Sequence, residues 1–102
     1  MRMKNNEVIN VFLNRSGKAE NHTQNLYIDD YGILWNYYTP ISCFYKGTLY
    51  LNATKYSVTT SKHQNNIRRC YSDCIEITES DIRKIVQDVI EEIHEARRIG
   101  NM

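Results

Sequence analysis

Apolar and polar positions along this chain alternate in short runs over most of its length and then switch to a helical period near the C-terminus. From Glu7 to Asn14, Ile9, Val11 and Leu13 fall on one side of an extended chain and Val8 and Phe12 on the other, which predicts a first strand. Residues 14–25 are polar, contain Gly17 and predict the longest loop. Leu26-Tyr27-Ile28 predicts a second strand. In the turn Asp29-Asp30-Tyr31-Gly32, carboxylates can accept from nearby N–H groups and glycine is free to take a positive φ. A third strand is predicted over Ile33 to Tyr38, with Ile33, Trp35 and Tyr37 on one face and Leu34 and Tyr38 on the other. Pro40 has no N–H for a ladder, so Thr39-Pro40 predicts a bulge, a corner or an edge.

Beyond the proline, runs 41–45 and 48–52 flank Lys46-Gly47, a two-residue link suited to a hairpin. The pattern breaks at Asn52-Ala53-Thr54 and resumes briefly at Tyr56 and Val58. It then enters a short helix predicted over 61–71, with Ser61 as its cap and His63, Ile67 and Cys70/Tyr71 on one face. Cys74 to Ile77 predicts a last short strand.

The final element has the strongest signal. Ile82, Val86, Val89, Ile93 and Ala96 recur at helical spacing, widened by Ile85 and Ile90. Thr78 with Asp81 three residues on resembles a capping box, and Gly100 suits the end. The predicted helix, 79–98, is about 30 Å long. Its stripe is expected to cover one face of the sheet; that length outruns a small sheet, so part of the stripe is also a candidate homodimer seam.

These elements make an α+β fold in a single domain: an antiparallel sheet of about five strands packed by a long C-terminal helix, plus one short helix. A chain of 102 residues holds one modest core. Eight tyrosines suit a sheet surface, where the ring packs and the hydroxyl stays wet. The N-terminus lacks the apolar run of a signal peptide, and nothing approaches the roughly 18 apolar residues of a membrane span. A cytoplasmic protein with reduced thiols and no membrane partner is expected.

Charge changes the picture by its distribution. The net charge is +1, but residues 51–72 carry four basic and no acidic side chains, whereas residues 73–102 carry eight acidic and four basic. Two surfaces follow. Asp88, Glu91, Glu92 and Glu95 form an acidic ridge opposite the apolar stripe, suited to a basic partner. Thr60, Ser61, Lys62, Arg68 and Arg69 gather hydroxyls and cations near a helix start, suited to phosphate or a nucleic-acid backbone. Catalytic signals are weaker. Cys70 and Cys74 with Cys43 and the histidines fall short of two clean zinc pairs, and Asp29-Asp30 has turn chemistry first. No nucleophile elbow or glycine-rich oxyanion loop occurs. No enzyme, cofactor or metal is expected.

The run from Leu49 to Asn65, and within it Tyr56-Ser57-Val58-Thr59-Thr60-Ser61-Lys62-His63-Gln64, resembles small proteins of tailed phages and prophages of Gram-positive bacteria. Asn21-His22-Thr23 and Tyr37 to Ile41 also fit; the C-terminal helix lies outside the resemblance. The resemblance transfers no catalytic residue. It implies a phage-encoded, non-enzymatic inhibitor of a host defence system, anti-CRISPR-like, that binds a nuclease or ribonucleoprotein effector in the host cytoplasm. The acidic ridge is then the partner surface. The alternative expectation is a nucleic-acid-binding accessory protein using residues 60–69.

Overall fold

The structure, a computed structural model, describes residues 2–100. It is an α+β fold with a long C-terminal helix, as the sequence predicts. The strands are β1 (Arg2–Met3), β2 (Glu20–Asn21), β3 (Leu26–Ile28), β4 (Leu34–Asn36), β5 (Thr39–Tyr45), β6 (Thr48–Asn52) and β7 (Ile75–Ile77). The helices are α1 (Asn5–Leu13), α2 (Val58–Cys70) and α3 (Glu79–Gly100). The strands form one sheet in chain order. Its inner pairings are antiparallel, but β1–β2 and β6–β7 are parallel, so the sheet is mixed rather than purely antiparallel. Each parallel pair is joined through a helix, the crossover that parallel neighbours require.

The predicted first strand over Glu7 to Asn14 is instead helix α1. Val8, Ile9 and Phe12 are buried, whereas Val11 and Leu13 are only half-buried. A spacing of one and four residues is a helical face, and it outweighs the period-two reading of the same residues. At the helix start the Lys4 N–H donates to the Glu7 carboxylate at 3.0 Å, relieving one of the groups a helix end leaves open.

The sheet has a core on each side. Val8, Ile9 and Phe12 of α1 and Ile67 of α2 pack with Leu26, Ile28, Leu34, Leu49 and Leu51 on one face. Ile82, Val86 and Val89 of α3 pack with Ile33 and Cys43 on the other. Pro40 marks the bulge. Trp35 pairs with Pro40 but Leu34 pairs with Ser42, which leaves Ile41 as the extra residue of β5. That extra residue lets Ile41 join the first core while Cys43, two positions on, joins the second. The β5–β6 link is a two-residue turn with positive φ at Lys46 and Gly47, as the hairpin signal predicts.

The break after Asn52 is longer than predicted. Residues 53–57 form no strand, Val58 is exposed, and α2 begins a turn earlier than expected. Its cap is Ser57, whose Oγ accepts from the Thr60 N–H at 3.3 Å. Ser61 lies inside the helix and its N–H already donates to the Ser57 carbonyl. At the start of α3 the Thr78 half of the predicted capping box is present: Thr78 Oγ1 accepts from the Asp81 N–H at 3.2 Å. The α3 stripe runs past the sheet. Ile93 is half-buried, and Ala96 and Ile99 are exposed.

Candidate functional site

Asp88, Glu91, Glu92 and Glu95 are all exposed on α3. At 100° per residue they occupy one stripe, extending along about 10 Å of the axis. Gln87 donates to Glu91 at 3.2 Å, and Glu95 pairs with Arg98 at 3.3 Å. Among the described residues, Asp88, Glu91 and Glu92 have no ion-pair partner.

The ridge is held in place at its far end. Tyr31, from the β3–β4 turn, has its hydroxyl 2.9 Å from His94 Nε2, and the Arg97 guanidinium lies over its ring. Tyr31 is itself positioned by Asp29. One carboxylate oxygen accepts from the N–H groups of Tyr31 and Ile33, and the other accepts from Trp35 Nε1 at 2.8 Å. Asp29 is thus spent on turn chemistry.

Two hollows flank the ridge. Tyr45 and Lys46 of the hairpin share an open one with the four carboxylates. Glu92 also borders a second, of about 540 Å³, whose walls include Phe12, Phe44, Val89 and Ile93. Negative charge and accessible apolar surface therefore adjoin on this side of α3.

The other candidate set is dispersed. Thr60 is buried, and its hydroxyl donates to the Asn36 side chain at 2.7 Å. Ser61 is half-buried, and Lys62 is exposed. Arg68 is bonded to Glu76 and to Asn65 Oδ1, each at 2.8 Å, and Arg69 to Asn66 Oδ1 at 2.8 Å. Thr60 is thus turned toward the sheet, and both arginines are engaged by neighbouring side chains.

Most of the polar signature around Gln64 works on the fold instead. Asn52 is fully buried and donates to the Pro40 carbonyl and to the Tyr56 hydroxyl. Gln64 donates to the carbonyls of Asn52 and Thr54 at 2.7 and 2.9 Å. Tyr56 donates to Glu79 at the start of α3. Burial, reinforced by that carboxylate, raises the Tyr56 pKa; the same bond, with Arg83 beside it, lowers that of Glu79. These contacts fasten α2 and α3 to the end of β6.

The cysteines do not converge. Cys43 is buried in the sheet with its thiol pushed up to about 12 by desolvation, Cys74 is half-buried and Cys70 is exposed. Among the described residues, no three His, Cys, Asp or Glu side chains come together as a metal-holding group. No helix among them is long and apolar enough to cross a membrane.

Residues 4–84 match the model of a family of unknown function, DUF8033. The chain belongs to this family. No curated protein and no solved structure matches. The DUF8033 match spans the sheet from β2 to β7, α1, α2 and the first turns of α3. It ends before Asp88, so the acidic ridge stands beyond the matched residues and the basic set at 60–69 within them.

Sequence reasoning missed the Tyr31–His94 contact and the hollows beside the ridge. Both depend on the β3–β4 turn and the hairpin reaching the same end of α3, and no local pattern encodes that meeting.

Proposed function

We propose that this protein is a non-enzymatic inhibitor that acts by protein contact, phage-encoded and directed at a host defence effector, with the α3 ridge as its docking face. The supporting observation is the ridge itself: four exposed carboxylates on a helix anchored at Tyr31, three of them without an ion-pair partner among the described residues, beside a hollow whose walls are largely apolar. An inhibitor needs such a held surface and no reactive group. Aligned negative charge draws a basic partner in and sets its register, while an adjoining apolar hollow can receive the anchor that carries affinity. The resemblance of residues 49–65 to phage proteins supplies the biological setting, the bacterial cytoplasm. The basic partner surface would be one that a nuclease or ribonucleoprotein otherwise offers to nucleic acid.

The nucleic-acid reading draws less support. Its arginines are engaged by Glu76, Asn65 and Asn66, and Thr60 faces inward.

The test is Asp88→Lys with Glu92→Lys. Both sites are exposed, so the fold is expected to survive, as circular dichroism can check. Inhibition of a nuclease effector is expected from the parent chain and not from the double variant. Full inhibition by a folded double variant would sink the ridge as the docking face.

A further inference from the structure

On the opposite side of the sheet from α3, three segments meet at a pocket of about 320 Å³. Lys4 and Asn5 come from the start of α1, His22 and Thr23 from the β2–β3 turn, and Thr59 and His63 from the first turns of α2. The residues that line it include no carboxylate.

His63 is the unexplained group. It is 3% exposed overall, but among the described residues no buried side-chain nitrogen or oxygen is left without a partner, so its unbonded ring nitrogens open onto the pocket. Its helix neighbours differ: Thr60 and Gln64, also buried, are both bonded to the sheet side of the molecule. Open to the pocket, the imidazole can bond to whatever enters it. Burial also holds the His63 pKa below its ordinary value.

The rest of the lining is arranged to donate. Asn21 gives its amide N–H groups to Asn5 Oδ1 at 2.8 Å and Asn25 Oδ1 at 2.6 Å. With its oxygen taken, Asn5 has its NH2 group left to offer. Thr23 and Thr59 bring hydroxyls and Lys4 an ammonium group. Two helix starts border the pocket; Glu7 already takes the Lys4 N–H at the first and Ser57 Oγ the Thr60 N–H at the second, and the N–H groups that remain favour negative charge.

We propose that this pocket binds a small phosphate monoester, with the phosphoryl oxygens accepting from Lys4, Asn5, His22, Thr23, Thr59 and His63. A phosphate offers several acceptor oxygens, which matches donors that arrive from three directions. The pocket volume leaves room for a modest organic group beyond the phosphate. The site lies away from the ridge and stands whether or not the ridge binds protein.

The experiment is a nitrogen-15 NMR titration of the full chain with inorganic phosphate, and separately with acetate. Phosphate is expected to give saturable shifts at the amides of Asn5, Thr23 and Thr59 and at the His63 ring, in the millimolar range or tighter. Lys4→Ala with His22→Ala changes two exposed residues and is expected to weaken binding about tenfold. His63→Gln, in a variant whose spectrum shows it folded, is expected to weaken it too. Shifts that never saturate, or that spread equally to Lys62 and Arg69, would overturn the site. Undiminished affinity in the folded double variant would also overturn it. Acetate binding as tightly at the same amides would overturn the phosphate assignment.

Discussion

Arg68 and Glu76 face each other across the link between α2 and β7, with Nε and Nη2 of the guanidinium each 2.8 Å from the same carboxylate oxygen. The pair engages one of the two arginines of the basic stretch at 60–69. Because both side chains remain substantially exposed, Glu76→Gln should cost less than about 1 kcal/mol in urea unfolding. Labelled single- and double-stranded DNA and RNA should show no tight binding with a steep salt dependence. Arg68→Ala with Arg69→Ala should then change nothing in such anisotropy titrations. Strong, salt-sensitive binding lost in that variant would restore the nucleic-acid reading.

Asn52 joins three segments through one side chain. Its Nδ2 donates to Pro40 and Tyr56, and its Oδ1 accepts from the Thr54 N–H. Asn52→Ala strands buried groups on each side and should cost about 2–4 kcal/mol. The urea midpoint should fall with the slope unchanged. Gln64→Ala, which removes two bonds to the same bend, should show non-additivity with it.

The period-two and helical readings of residues 7–14 predict opposite costs for neighbouring substitutions. Phe12 is buried and stacks near Phe44 with ring centroids 5.4 Å apart. Phe12→Ala should therefore cost about 3–5 kcal/mol. Val11 is only half-buried, so Val11→Ala should cost about 1 kcal/mol. Equilibrium unfolding that reversed the two would favour a strand.

The three thiols should separate kinetically. At mildly alkaline pH, a thiol reagent should modify exposed Cys70 first and half-buried Cys74 later, and reach Cys43 only on unfolding. The Cys43 pKa is raised from 9.0 to about 12, so between those values the native state holds a proton that the unfolded state releases. Its stabilising contribution is present below pH 9 and is lost as pH climbs toward 12. The half-buried Tyr27 and Tyr56, whose pKa values are also raised, act with the same sign. Stability should fall at alkaline pH, less steeply in Cys43→Ala.

Much of the fold was legible because its signals are local. The α3 stripe, the Thr78 cap, the Lys46-Gly47 turn, the Asp29 turn and the Pro40 bulge each depend on residues within a few positions of one another. Helix α1 was not legible, since Ile9, Val11 and Leu13 satisfy a strand as well as Val8, Ile9 and Phe12 satisfy a helix. Packing against the first core breaks that tie. The α2 cap was misplaced because Ser57, Thr59, Thr60 and Ser61 all offer hydroxyls, and only the bend at 53–57 selects the first. The ridge was legible as a helical spacing. The pocket at His63 was not, because its donors lie at 4–5, 22–23 and 59–63 and meet only when β2, α1 and α2 assemble.

The most direct test of the account is protection in cells. The parent chain and the Asp88→Lys, Glu92→Lys variant would be expressed in bacteria carrying an active nuclease-based defence, and plasmid or phage survival counted. The account predicts survival with the parent chain and loss of it with a variant that circular dichroism shows to be folded. Equal survival with both would contradict the ridge as the working surface. Absence of protection by the parent chain across the defence classes assayed would contradict inhibition by protein contact itself.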